Sequence, residues 1–563
     1  MREEEAPDAS GRSEVLLRGG LVLDGSGSPA RREDVRLGSG RVLERGEALA
    51  VRGARVVDLS GEYLAPGFVD VHSHSDITVL ANPGLESKAM QGVTTEVVGN
   101  CGESLFPVSA LHRDELAAFV EQFFPRVASR LRWDWNDLAS WSNRVAEARP
   151  ALNLAPLVGH GTLRIATVGL RNGPIPNDRA AELAASLDRA LAQGAFGLST
   201  GLAYSPELET TSDDLEPLLE RVARAGGVYA THLRDEGTGG PVSVEAALLL
   251  AGRTRVRLEI SHLKCFGRRT WGSMPGLLRR IARARADGVR VHADMYPYEA
   301  GETALTALFP GWLFEGRWEE AEARLRDPVA RRRAGEEVEH GVRGWTIGPN
   351  DLRWEDVVVS AVATRGGERF LGRNLSEIGR ELGLGPFEAA VDLLLRERGG
   401  VSVLLFGMAP DDVRAVERDP TAFVGSDGIG NSLSLGPFDG PIHPRNYGAF
   451  PRFLADLGRE GSLALSAAVR RVTALPCDHF GLADRGSVEV GKVADLVSWP
   501  RGAHDAGPEY AERPRYSRLL SSVWVNGVPV VWRGRLTGER PGRVLTRPAD
   551  RSEASGARPP GTD

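Results

Sequence analysis

The sequence predicts an α/β fold, a (β/α)8 TIM-like barrel joined to a small β-sandwich domain built from both chain ends. Three observations carry this reading. Apolar, strand-like runs alternate with helical patterns through the middle of the chain, eight such runs can be counted, and short alternating segments broken by turn residues occupy both flanks. Strict β-then-α alternation implies a parallel sheet with helical crossovers, and eight units suggest closure into a barrel whose active site lies at the C-terminal strand ends.

Residues 1–12 and 548–563 are rich in Pro, Gly, Ser and charge and read as disordered tails. Within 13–63, "EVLLRGGLVLDG", "REDVRLGSGRVLERG" and "ARVVDLSGEYLAPG" read as strands of the N-terminal part of the β domain. The same texture returns over 477–547 in "GSVEVGKVADLVSWP" and "SSVWVNGVPVVWRGRLTG", the C-terminal part. The barrel takes 64–476. Its first strand ends in "PGFVDVHSHSD", and the others are "GVTTEVVGN", "LNLAPLVGHG", "AFGLSTGL", "GGVYATHL", "VRLEISHL", "VRVHADMYPY" and "TAFVGSDG". Crossovers such as "RAAELAASLDRALAQG" place apolar residues at helical spacing before a Gly stop. The stretch from about 307 to 400 is longer than one crossover needs and heavily charged, so it reads as an insertion.

Composition excludes several classes. With 42% hydrophobic and 26% charged residues, the 563-residue chain is that of an ordinary globular protein. A net charge of -7 without dense Lys/Arg clusters argues against nucleic acid. No run of about 18 apolar residues is present to cross a membrane, and the acidic start "MREEEAPDASGRSE" does not read as a secretory signal, so cytoplasmic residence is expected. Three scattered cysteines make no disulfide framework, and each reads as a ligand, a nucleophile or core filler.

Chemistry gathers at the strand ends. Side chains alternate along a strand, so His72 and His74 project to one side, and two imidazoles there suggest a metal. Cys101 follows "EVVGN", His232 stands in "YATHLRDEG", His262 in "EISHLK" and Asp427 in "GSDG". His232 and His262 lie about one βα unit apart, on adjacent strands of the expected barrel. Imidazole, thiolate and carboxylate at one mouth suit zinc. A single strand-end histidine is as readily a hydrogen-bonded structural group; the matched set of six carries the argument. His160 in "LVGHGTLR" is divided between structural duty and substrate contact, while His112, His292, His340, His479 and His504 read as ordinary. Cys265 and Cys477 read as core or inert surface. "GLADRGSVEVGKVADLV" lacks the strand–loop–helix context of a phosphate site, and Ser199 in "GLSTG" is not a nucleophile elbow.

Taken together, "LLRGGLVLDGSG", "APGFVDVHSHSD", "GVTTEVVGNCGES", "THLRDEG", "ISHLK", "YPYEAGET", "GSDG" and "HPRNYGAFPR" resemble the amidohydrolase superfamily, and within it the N-acyl-D-amino acid deacylases, or D-aminoacylases. The likeness covers nearly the whole chain, and the cysteine in "GNCG", where many superfamily members carry a carboxylated lysine, is its most specific mark. The resemblance implies zinc, one or two ions. His72, His74 and Asp427 would form one position, and Cys101, His232 and His262 a tighter one with a bridging thiolate. It also implies Asp427 as the catalytic acid/base and Lys264, Tyr296 and Arg445 as anchors for the substrate carboxylate. Glu302 in "YPYEAGET" departs from the family, which commonly has a small hydroxyl residue there. Close to substrate, it would repel acidic side chains and favour basic or polar ones. The loop "GIGNSLSLGPFDGPI" after Asp427 also looks longer than usual. The expected reaction is hydrolysis of N-acyl-D-amino acids. A cyclic-amide hydrolase of dihydroorotase or hydantoinase type, and a non-catalytic ligand-binding barrel, are the alternatives.

Overall fold

Eight parallel strands form the centre of the computed structural model, which describes residues 14–341, 351–434, 443–460, 465–510 and 512–547. The expected tails and the far part of the loop after Asp427, 435–442, lie outside the described residues. In chain order the strands are Phe68–Asp70, Val93–Val98, Asn153–Pro156 continuing as Val158–Gly159, Gly197–Gly201, Val228–His232, Arg257–Ile260, Val291–Met295 and Ala422–Val424. Each pairs in parallel with the next. The circle closes by a parallel bridge between Ser73 and Gly428, with Asp427 N donating to His72 O at 2.7 Å and His74 N to Gly428 O at 2.9 Å. The seam thus falls where the first strand's histidines meet Asp427.

The crossover helices form for ordinary reasons. Asn177–Ala192 buries Leu183, Leu187 and Leu191 at four-residue spacing, each such burial stabilising by about 1.5–3 kcal/mol. Ser212–Arg224 starts from Thr211, whose hydroxyl accepts from Asp214 N while Asp214 caps in return, a device worth about 1 kcal/mol. Val69, Val97, Ala155, Val228 and Phe423 of the barrel strands pack with Phe480 and Leu482 in one cluster.

After the seventh strand the chain leaves the barrel. Gly301–Ala304 pairs antiparallel with Val401–Leu405, which pairs antiparallel with Val357–Val362. Helices Trp318–Arg326, Pro328–His340, Leu375–Leu382 and Pro386–Arg396 complete the excursion, which has its own core around Leu305, Phe309, Ile378, Leu393 and Val403. Its sheet starts at Gly301, ahead of the expected 307, because the first strand finds its partner about a hundred residues later. The flanking β segments form one continuous nine-stranded sheet rather than two separately bonded layers. Strand Glu62–Pro66 joins the two chain ends by pairing with Leu496–Pro500, and the sheet curls until Val42 N reaches Lys492 O. No helix among the described residues is long and apolar enough to cross a membrane.

Candidate metal centre

The six strand-end residues converge. Cys101 Sγ lies 3.3 Å from His72 Nε2, 3.4 Å from His262 Nε2 and 3.9 Å from His232 Nδ1. His232 Nδ1 and His262 Nε2 are 2.9 Å apart. Asp427 Oδ1 lies 3.4 Å from His72 Nε2 and 3.3 Å from His74 Nε2. Two donor groups result, His72–His74–Cys101–Asp427 and Cys101–His232–His262, with Cys101 common to both and every member buried.

The backbone is strained to bring them there. Cys101, His262 and Asp427 all adopt positive φ, at 54°, 36° and 49°, a region that costs a non-glycine residue of order 1 kcal/mol or more. Glycines make room. A Cβ on Gly201 would stand 2.1 Å from the carbonyl oxygen of Cys101, and one on Gly425 would stand 2.5 Å from His72 Cβ.

Electrostatics suit a cation. Burial drives the pKa values of His232 and His262 well below the usual imidazole range, leaving neutral rings with lone pairs to give. Burial opposes ionisation of Asp427, yet Arg445 with His262 and His72 outweighs it and holds the carboxyl far below its ordinary range. Burial, reinforced by Asp427 and Glu103, pushes the Cys101 thiol well up, so a thiolate at this position calls for positive charge beside it. Two imidazoles and a sulfur aimed at one point, with a carboxylate alongside, fit zinc.

These observations accord with the comparisons. A model of the amidohydrolase family matches residues 55–531. The chain belongs to the amidohydrolase family. It is 34% identical over 542 residues to an N-acyl-D-aspartate deacylase of Alcaligenes xylosoxydans xylosoxydans, covering 96% of each chain. It is 30% identical to a D-aminoacylase from the same organism, covering 95% of this chain and 98% of the relative. Among solved structures, an N-acyl-D-glutamate deacylase from Bordetella bronchiseptica, complexed with zinc and a phosphonate inhibitor, superposes with a TM-score of 0.78 at 29% identity, covering 95% of this chain and all of that one.

Above the centre of this amidohydrolase lies a cavity lined by Lys264, Tyr296, Glu302 and Arg445 as well as by residues of the two donor groups. Arg445 Nη1 donates to Asp427 Oδ2 at 2.7 Å, and its guanidinium stands 4.8 Å from the Tyr296 ring centre. Among the described residues, neither Arg445 Nε nor Tyr296 Oη, both buried, has a hydrogen-bond partner. Lys264 Nζ is bonded to Glu236 Oε1 at 2.8 Å and lies 2.8 Å from His262 Nδ1. Glu302 reaches the cavity from the excursion sheet; burial raises its pKa, partly offset by Arg445. It has no ion-pair partner among the described residues.

Sequence reasoning missed the groups behind the donors. Asp294 Oδ2 sits 3.1 Å from His72 Nδ1, which fixes the tautomer that turns Nε2 toward Cys101. Behind His262, Glu236 Oε1 lies 3.1 Å from Nδ1 and holds Lys264, whose ammonium faces the same nitrogen. Below the seam Lys88 is fully buried, 2.7 Å from Asp70 Oδ2, and Asp70 also accepts from Ser426 N at 2.8 Å, locking the first strand to the eighth. His160 pairs with Glu207 at 2.6 Å, outside both donor groups.

Proposed function

We propose that this amidohydrolase hydrolyses the amide bond of N-acyl-D-amino acids to a carboxylate and the free D-amino acid, using one or two zinc ions held by His72, His74, Cys101, His232, His262 and Asp427. The observation that carries the reading is the pair of unpartnered buried donors, Arg445 Nε and Tyr296 Oη, beside a carboxylate-bearing metal centre. Orphaned buried donors cost about 1–3 kcal/mol each, a penalty removed by a ligand carboxylate, which a guanidinium binds well. That the relatives are named for N-acyl-D-aspartate and D-glutamate deacylation supports the same class.

When bound, zinc supplies a Lewis acid that polarises a carbonyl and lowers the pKa of water toward ~7. Asp427, ionised through Arg445, takes the proton from the attacking water at a carboxylate oxygen and returns it to the departing nitrogen, as general base then general acid. Arg445 and Tyr296 fix the α-carboxylate, and the remaining donors of Lys264 turn to the same group. This orients the scissile carbonyl and helps select one enantiomer. Glu302, without an ion pair of its own but within the field of Arg445, disfavours acidic side chains and favours basic or polar ones. The three unpaired, buried cysteines suit a reducing compartment, and we place the enzyme in the cytoplasm.

The test is amine release, detected with ninhydrin, from matched N-acetyl-D- and N-acetyl-L-amino acids by the zinc-loaded enzyme, with Asp427→Asn as control. Release from D-substrates alone, abolished in the variant, is expected; zinc-loaded protein inert toward every member contradicts the proposal.

A further inference from the structure

A second cavity lies between the excursion and the barrel loops. Its walls include Leu208, Ala307, Phe309 and Trp312, and among the described residues it shares just Phe123 and Tyr204 with the lining of the catalytic cavity. The two shared rings meet edge to face with centroids 5.2 Å apart. Tyr204 in turn stands 4.6 Å from the His232 ring, at the metal centre. A partition one aromatic ring thick therefore separates the donor cluster from a largely apolar chamber.

We infer that the acyl group of the substrate runs past Phe123 and Tyr204, and that the chamber beyond is a subsite for a long, unbranched acyl chain. The inference rests on the amide-hydrolase reading and gives it a substrate class. Position supports it. The α-carboxylate anchors Arg445 and Tyr296 adjoin Asp427, whereas Tyr204 adjoins His232, so the substituent on the far side of the scissile carbonyl points at the partition. Chemistry supports it too. Of the three acids lining the chamber, Glu209, Glu315 and Glu337, the last two are held by Asn172 Nδ2 at 2.9 Å and Trp312 Nε1 at 3.0 Å. They disfavour a second anion there, while the apolar walls gain from each methylene buried.

The experiment compares N-acetyl-, N-butyryl-, N-octanoyl- and N-decanoyl-D-alanine on the zinc-loaded full chain, as wild type and as Ala307→Trp, which fills the chamber at a residue remote from the metal. Wild-type kcat/KM is expected to rise with chain length, by up to about fourfold per methylene, mainly through KM. Ala307→Trp is expected to keep N-acetyl turnover, which also reports correct folding, and to lose at least tenfold on the decanoyl substrate. Calorimetric binding of the same acyl series to Asp427→Asn gives a readout independent of turnover, with the decanoyl compound at least tenfold tighter than the acetyl. A flat or falling profile in wild type, or an unchanged decanoyl-to-acetyl ratio in Ala307→Trp, overturns the inference while leaving the hydrolase reading intact. Absence of N-acetyl turnover strikes at that reading instead, and the binding ratio then decides the subsite by itself.

Discussion

The barrel mouth and the excursion sheet face each other across one cavity but are built by opposite rules. At the mouth, Cys101, His262 and Asp427 hold left-handed backbone, and buried charge is stacked behind buried charge, as in Asp427 with Arg445 and Glu236 with Lys264. The excursion is regular: a three-stranded antiparallel sheet under four helices, with a separate apolar core and neither donor group. It still contributes Glu302, Thr303 and Ser360 to the cavity lining. The donor residues at the mouth need left-handed backbone and buried charge to be held in place, whereas the excursion furnishes its share of the lining from ordinary sheet residues.

Substitutions on each side separate the two roles. The largest effect belongs to the mouth: Asp427→Asn is expected to lower kcat about 10²–10⁴-fold, the usual contribution of a positioned acid/base, with steady-state kinetics as the check. Next comes Asp294→Asn, which frees the His72 ring; metal affinity should fall about 10–100-fold, measured by competition with a chelator. On the excursion side, Glu302→Ser should leave kcat for a neutral D-substrate near wild type. It should improve kcat/KM for N-acetyl-D-aspartate over N-acetyl-D-lysine by about tenfold, the value of one 1.4 kcal/mol charge contact. If Glu302→Ser abolishes all turnover, the division between the regions is wrong.

The smallest effect lies where the two regions join. Arg268, in the loop after the sixth barrel strand, and Arg353 both bond Asp356 at the start of the excursion's Val357–Val362 strand. Burial opposes ionisation of Asp356, but these arginines outweigh it and bring its pKa from 3.8 down to about 2. A carboxylate with a depressed folded-state pKa contributes stability above its unfolded value, and that contribution fades as pH falls from about 4 through about 2. Because water screens the open side of this pair, the contribution should be about 1 kcal/mol. Denaturant unfolding should show Asp356→Asn destabilised by that amount at pH 7, with the gap to wild type narrowing through about pH 2 and closing below it.

Much of this was legible before any coordinates. Each barrel strand announces itself as an apolar run, and most end in a residue whose chemistry differs sharply from what precedes it, so His72, His232 and Asp427 stand out. Asp294 does not, although it lies in the quoted run "VRVHADMYPY", because a lone carboxylate has no partner at a telling spacing. Glu236 sits in a polar loop where acids are commonplace, and Lys88 reads as a surface lysine until Asp70 and Glu96 are found beside it. Glu302 stands out by its motif, but its route into the cavity depends on pairing with Leu404, a contact that periodicity cannot reveal. The single curled sheet of the β domain was hidden for the same reason, since pairing between distant strands decides whether layers are bonded or merely stacked.

Cys101 is the donor common to both groups, giving its sulfur to the metal together with histidines from opposite sides of the barrel. X-ray absorption at the zinc edge of the loaded enzyme tests this most directly. One sulfur at about 2.3 Å beside nitrogen or oxygen at about 2.0–2.2 Å is predicted, with the sulfur shell absent in Cys101→Ala. A zinc-loaded wild type showing only nitrogen and oxygen would contradict it.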